Sequence, residues 1–453
     1  MSNRGTMLSV YRRERARHYH NCRKPMGGLF SALLLTTIAI IALNSKSWVQ
    51  IPPSFQIFQQ QNIQNFSETR ECLPPDSDGV LTKVGEQCIY IQSVIASYKE
   101  PGSTVISVVV NAWDGTYTAP DFVCCLRADR DVIRVKPHVF YKYSVESPFR
   151  ATQFNCLVNA ERLKPTHIAF TDHSCDQTSL NYSAITYPEN SVDQLAVCTG
   201  VAYGRLVPEQ LTEWFELQKI LGVEKVVTFT YNLDGDSTKV LKYYENEGIL
   251  EIIPYDIPQI IKAKPDRGFE LNERWPVQYL NDIQMPLLDC KERLQGYRYM
   301  MVTGFHEIII PKGQIANLYD LLEHRLRVEY QQASSFSFPV KTFITDWNKS
   351  DPDNQLFYLQ YLQRTPLNTS NTRSVHIPGR IMEITHTHVV PQYYYQRIML
   401  SAEMAYVHQY ISCPPYLQDC YTSTRYHDGG LFFFENILKD RMKNVPPELR
   451  QEF

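Results

Sequence analysis

The order of apolar segments after residue 195 restricts the fold of this chain more than any other feature. Leu195, Ala196, Val197 and Cys198 form a short run of the kind a buried strand shows. Pro208 then opens a segment to Leu221 in which Leu211, Trp214, Phe215, Leu217, Ile220 and Leu221 recur at helical spacing. Proline suits the first helical turn, and Gly222 is well placed to end the helix. Val226–Tyr231 reads as a strand. Asp236 or Ser237 caps a second helix that turns Val240, Leu241 and Tyr244 inward and closes at Gly248. Ile249–Pro254 is the next strand. This β-α-β-α-β order predicts an open α/β sheet with right-handed crossovers, whose ligands bind at the carboxyl ends of the strands. A further helix is expected over Met285–Arg293 and a strand over Tyr297–Thr303. Gly304, Phe305, His306 and Glu307 then stand at a carboxyl end, ahead of Ile308–Ile310 and Pro311. Residues 314–331, with Leu318, Leu321, Leu322 and Leu326, read as helix.

Upstream, residues 72–190 read as a β-rich region. Val105–Asn111 is a β-branched run, Asp131–Ser144 alternates around a proline that suits an edge strand, and His167–Thr171 is another short run. The start of the chain differs again. Residues 1–26 carry seven Arg or Lys against one acid, and Gly27–Leu43 holds no charge. With its uncharged neighbours this stretch reaches the roughly 20 residues that a membrane span needs. The basic flank stays in the cytoplasm, so the C-terminus is expected in the lumen. The basic region is long and no small-residue cleavage site follows, which favours an uncleaved anchor over a cleaved leader. Residues 44–71 are Gln/Asn-rich with few apolar anchors and read as a stem. The expected organisation is a tail (1–26), an anchor (27–43), a stem (44–71), a β-rich lumenal region (72–190) and an α/β domain (191–453).

The cysteines agree with a lumenal location. Of 11, Cys22 lies before the apolar stretch, and ten follow it, an even number that allows full pairing in an oxidising compartment. Adjacent Cys124 and Cys125 are expected to take different partners. Asn-x-Ser acceptor triplets stand at Asn65, Asn181, Asn348 and Asn368. A net charge of −3 gives no basic footprint for a nucleic acid.

From about residue 195 to 440 the chain resembles glycosyltransferase family 92, formerly domain of unknown function 23. The matching words are Val201–Gly222, Val240–Pro254, Asp289-Cys290, the stretch ending in Glu307–Pro311, and Ala405–Tyr410. The resemblance implies a type II membrane protein of the Golgi or ER with a GT-A-like open twisted sheet. It also implies transfer of galactose from UDP-galactose to a glycan, with a divalent metal such as Mn²⁺ as cofactor and inversion at the anomeric carbon. Such a site needs a cation for the departing diphosphate, hard or borderline ligands for that cation, and a group to take the acceptor's proton.

This chain departs from the family's pattern where the metal is held. The family's Asp-x-Asp-Glu aligns with Gly304-Phe305-His306-Glu307, so both aspartates are missing. Three readings follow. His306 replaces an aspartate as ligand, with His408 or His386 completing the set. Alternatively, Arg or Lys side chains carry the diphosphate without metal. Or the fold is kept for binding glycans or partners without catalysis. His408 matches the first His of a family His-His-Tyr-Arg word, whose second His is Gln409 and whose Arg is Ile411. Glu307 keeps its family identity and is the candidate for an acid/base or orienting role. Asp289 matches a position near the donor, with a salt bridge as its bland alternative. Asp234-Gly-Asp236 reads as a strand-to-helix turn and, by resemblance, lies near the nucleotide.

Overall fold

The computed structural model describes residues 80–449, apart from 86–87, 99–103, 117–120, 143–148, 160, 162–163, 177–179, 190–192, 259–275, 313–316, 386–388, 414–419 and 421. The expected tail, anchor and stem, with Asn65, Cys22, Cys72 and His386, lie outside the described residues. Among those described, no helix is long and apolar enough to cross a membrane.

The strands run β1 Thr82–Lys83, β2 Ile89–Tyr98, β3 Val105–Asp114, β4 Val123–Ala128, β5 Asp131–Val135, β6 His138–Lys142, β7 Arg150–Asn159, β8 His167–Thr171 and β9 Ser183–Ala184. They continue with β10 Leu195–Gly204, β11 Val223–Leu233, β12 Leu250–Pro254, β13 Tyr299–Val302, β14 Glu307–Pro311, β15 Ala333–Ile344 and β16 Gln363–Arg364. The last are β17 Asn368–His376, β18 Ile381–Ile384, β19 Val389–Pro391, β20 Gln396–Met399, β21 Ala405–Ile411 and β22 Tyr426–His427. The main helices are α1 Pro208–Ile220, α2 Gly235–Asn246 and α3 Pro276–Arg293.

The result is a mixed α/β molecule around a curled open sheet of 11 strands. Its path is β12-β11-β10-β13-β17-β15-β16-β22, with β14, β20 and β21 joined to the side. The first four of these strands are parallel, as the β-α-β-α-β order requires. From β17 onward antiparallel neighbours enter. The preceding segment forms a sheet in the order β1-β2-β3-β7-β6 and a second in the order β5-β4-β8-β9.

Residues 131–144 do not form the single strand that their alternation suggests. The run divides at Lys136-Pro137 into β5 and β6, which belong to different sheets. Proline has no N–H for the ladder, so pairing stops there. Helix α2 starts earlier than expected, because Asp234 and not Asp236 or Ser237 is its cap. The Asp234 carboxylate accepts the Ser237 N–H at 2.8 Å. Gly222 and Gly248 end α1 and α2 as expected, both with positive φ. The helix expected over Met285–Arg293 begins at Pro276 and carries Pro286 inside it. Residues 318–329 are helical, with a π turn at Leu321–Leu326.

Helix α3 joins the two halves. Its Asn281 accepts the Ala151 N–H of β7 at 3.0 Å, and the Gln153 side chain donates to the Leu288 carbonyl at 3.3 Å. Met285, Leu287 and Leu288 pack in one core with Trp113 and Phe149 on one side and Ala196, Val227 and Phe229 on the other. Burying each large apolar side chain stabilises the fold by about 1.5–3 kcal/mol. The Cys198–Cys290 disulfide ties α3 to β10. Cys124 pairs with Cys156 and Cys125 with Cys175, so the adjacent cysteines do take different partners. Cys413 pairs with Cys420, and Cys88 is also disulfide-bonded.

Candidate functional site

Strand β13 is short, and its end makes a notch. It pairs with β10 only over Leu195–Cys198 and with β17 only over Ser374–His376. Past Val302, β10 continues to Gly204 on one side, while residues 368–373 of β17 extend on the other. Gly304–Glu307 turns at this carboxyl end, where open α/β sheets bind their ligands.

Helix α1 and a short 3-10 helix hold that turn. The Trp214 indole N–H donates to the Glu307 carbonyl at 2.8 Å, and Phe305 packs edge-on to Trp214 with centroids 4.9 Å apart. Tyr358, in the 3-10 helix Phe357–Gln360, donates its hydroxyl hydrogen to the Phe305 carbonyl at 3.3 Å. Glu213 of α1 in turn accepts the Phe357 and Tyr358 N–H groups at 2.5 and 3.2 Å. Burial pushes the Glu213 carboxyl up to about 8.

Glu307 is 2% exposed and fully engaged. Its carboxylate accepts from Arg373 Nε at 2.8 Å, from the Gln409 amide at 2.8 Å and from the Gly304 N–H at 3.1 Å. Burial raises its pKa, but the Arg373 charge, His306 and these donors more than offset that and leave it below the ordinary carboxylate value. A carboxylate held in this way is a weak proton acceptor and a strong positioner of its cation. His306 is different: its side chain is 45% exposed, with Nε2 3.6 Å from Glu307. Desolvation pushes its pKa down, Glu307 works against that, and Arg373 adds to it.

Gly304 and His306 are sterically coupled. A Cβ placed on Gly304 would come within 2.6 Å of His306 Cε1 and 2.8 Å of Nδ1. The imidazole lies in the space that a side chain at 304 needs. Glycine at 304 makes room for the ring.

The structure does not bring His306 and His408 into one site, and strand alternation is the reason. Glu307 faces Gln409 across the β14–β21 ladder, and Ile308 faces His408. Neighbours in a strand point to opposite faces, so His408 points away from Glu307. It is 1% exposed, with Nδ1 3.0 Å from the Tyr410 hydroxyl and Nε2 3.7 Å from Asp428. Asp428 also binds Lys341 at 2.6 Å and Arg364 at 2.9 Å. Among the described residues no three His, Cys, Asp or Glu side chains converge to hold a metal ion. The residues at the notch offer one buried carboxylate already paired with an arginine, one imidazole and an amide. That set does not fit a divalent cation, which needs several free hard ligands.

The other expected residues fall in three places. Asp289 is buried on α3 and bound to Arg293 at 2.7 Å. Arg293 also reaches Glu251 of β12, so Asp289 is one member of a buried salt-bridge set. Asp234 and Asp236 stand past the carboxyl end of β11. Asp234 caps α2, with Arg205 at 3.8 Å, and Asp236 pairs with Lys239. Asn181, Asn348 and Asn368 are all exposed. Two small cavities, of about 190 and 260 Å³, lie elsewhere and include none of Gly304–Glu307. Arg373, which completes the site, stands in no distinctive word. Its one signal is a lone cation within a polar strand, Asn368–His376.

Comparison with known proteins identifies a family and a relative. A beta-1,4-galactosyltransferase of Caenorhabditis elegans, galt-1, is 23% identical over 173 residues, or 37% of each chain. The chain thus spans well under half the length of this relative. The profile of glycosyltransferase family 92 matches residues 193–437. That match runs from the entry to β10, through the notch, to the helix after β22, and takes in more than half of the sequence, so the chain belongs to glycosyltransferase family 92.

Proposed function

We propose that the protein transfers a hexose, galactose first among them, from a UDP-sugar to a glycan acceptor in the lumen of the Golgi or ER. A GT-A-type domain over residues 191–453 would carry the chemistry, joined through the β-rich region and stem to the anchor at residues 27–43. Family membership supports a sugar-nucleotide donor. The galactosyl reading leans on the name of the nematode relative. The observation that carries the proposal is the notch at the end of β13, where Gly304–Glu307 gathers a cation, a carboxylate and a half-exposed imidazole.

In the reaction the acceptor hydroxyl attacks the anomeric carbon. The bond from that carbon to the β-phosphate oxygen breaks, and its electron pair leaves on UDP. The hydroxyl proton passes to a base. Glu307 is committed to Arg373, so His306, neutral near pH 7 and open to the notch, takes that role. The test is transfer of labelled galactose from UDP-galactose to a panel of glycans by the full chain, with and without Mn²⁺. Absence of both transfer and UDP binding would sink the proposal.

One observation favours a second reading, an inactive fold that binds glycans or partners. Glycine, histidine and glutamine stand where acids and a second histidine are expected. UDP binding with no turnover on any acceptor would support that reading.

A further inference from the structure

A cation in a sugar-nucleotide site neutralises the diphosphate and holds it in place. The notch lacks the ligands for a metal, yet it does not lack positive charge. Strand β17 runs antiparallel to β13 with Ser374 opposite Val302, so Arg373 and Thr372 lie just past the end of β13. Arg373 Nη1 donates to the Thr372 carbonyl at 3.1 Å and to Asn371 Oδ1 at 2.9 Å. Arg397, from β20, meets the same residue. Its Nη2 donates to Thr372 Oγ1 at 3.0 Å and its Nε to Ser337 Oγ at 2.7 Å.

Thr372 and Arg373 are neighbours in a strand, so the two guanidinium groups approach the notch from the two faces of β17. Their charge states differ. Arg373 is neutralised by Glu307, and its side chain is 30% exposed. Arg397 is exposed, and among the described residues no carboxylate lies within ion-pair distance of it. Among the described residues its hydrogen bonds go to neutral hydroxyls, through Nε and Nη2, and leave Nη1 to donate elsewhere. The three groups together, Arg373, Arg397 and Glu307, carry an excess of one positive charge at the strand ends. Arginine's planar fork suits phosphate oxygens, and it needs no metal to do so.

We propose that Arg373 and Arg397, joined through Thr372, bind the diphosphate of the sugar-nucleotide donor in place of a divalent cation. The proposal rests on the transferase reading above. Arg397 supplies the free charge, and Arg373, locked by Glu307 and Asn371, supplies a fixed wall.

Calorimetric titration of UDP and of uridine into the full-length protein, in EDTA and then in Mn²⁺, tests it. Arg397→Gln keeps a donor for Ser337 and Thr372 but removes the charge, and Arg397→Lys keeps the charge without the fork. The expected result is UDP binding that persists in EDTA and weakens about tenfold or more in Arg397→Gln, as the loss of a charge-assisted contact implies. Arg397→Lys recovers part of it, and uridine binding does not change. UDP binding that requires Mn²⁺, or that is equal in the wild type and Arg397→Gln, overturns the clamp and leaves the transferase reading standing. No UDP binding by the wild type in either condition removes that reading and the clamp with it.

Discussion

On one face of β21, Gln409 donates to Glu307, which holds Arg373 beside the open notch. On the other, one residue away, His408 lies beside Asp428, which binds Lys341 and Arg364. Both clusters set carboxylate against cation across neighbouring strands. They differ in access to water. Arg373 and His306 reach solvent, whereas Lys341, Asp428 and His408 are all below a tenth exposed. A charge cluster open on one side can exchange a partner for a ligand. A closed one can only hold the fold together, and its charges are costly to leave unpaired. Of the histidines that the sequence offers as ligands, His306 lies at the open notch and His408 in the closed cluster.

The sharpest way to break this comparison is at His306. If the imidazole is the base, His306→Ala lowers the transfer rate by about 10²–10⁴-fold and leaves UDP affinity within about twofold. Rate measurement alongside UDP titration separates this from a ligand role. A ligand would lose metal-dependent UDP binding together with turnover.

The closed cluster is tested by stability. Asp428→Asn leaves Lys341 and Arg364 without their shared carboxylate, and is expected to cost about 3–5 kcal/mol in urea unfolding. Glu307→Gln on the open face leaves one cation, Arg373, without its counter-charge, and that cation can turn to water. This variant should cost less, about 1–3 kcal/mol. Equal losses from the two variants would erase the distinction between the faces.

How far the sequence reveals this depends on which contacts are local. The parallel half of the sheet was legible because each strand and helix carries its own punctuation, such as Pro208, Gly222 and Gly248. The position of Gly304–Glu307 at a strand end followed from the same reading. What completes the site is not local. Arg373 lies 66 residues from Glu307, on an antiparallel strand with no motif of its own. The sorting of His408 and Gln409 onto opposite faces depends on the register of β14 with β21. A one-residue slip would exchange them, and no word in the sequence sets that register. The start of α3 is not local either. The helix runs from Pro276 through Pro286, where packing on both sheets outweighs proline's low helix preference.

The coupling of Gly304 and His306 gives a smaller effect with a distinctive sign. Gly304→Asp forces the imidazole out of its place and is expected to cost about 1–3 kcal/mol. His306→Ala vacates that space, so in the double variant most of the cost of Gly304→Asp disappears. A cycle of four proteins in urea should give a coupling energy of about 1–2 kcal/mol. Additive losses would mean that the ring does not occupy the space at 304.

The smallest effect is read through pH, at the back of the notch. His376, on β17 beside Arg373's strand neighbours, is 5% exposed, and burial with the nearby Arg397 charge pushes its pKa down to about 3. The unfolded chain takes up that proton near the ordinary histidine value of 6.5. Below that pH the unfolded state binds more protons than the folded state. Stability is therefore intact above about pH 6.5 and falls as pH falls toward 3, by up to about 1.4 kcal/mol per pH unit. Glu213 tilts the other way, since its raised pKa makes stability fall as pH rises from about 4.5 through about 8. The wild-type slope mixes the two, so the informative quantity is a difference. His376→Met keeps the volume and cannot titrate. Relative to wild type, its unfolding free energy should gain about 1.5 kcal/mol between about pH 6.5 and about pH 5. Parallel curves for the two proteins would mean that His376 is protonated in the folded state. The wall of the notch that carries Arg397 would then already hold a second positive charge.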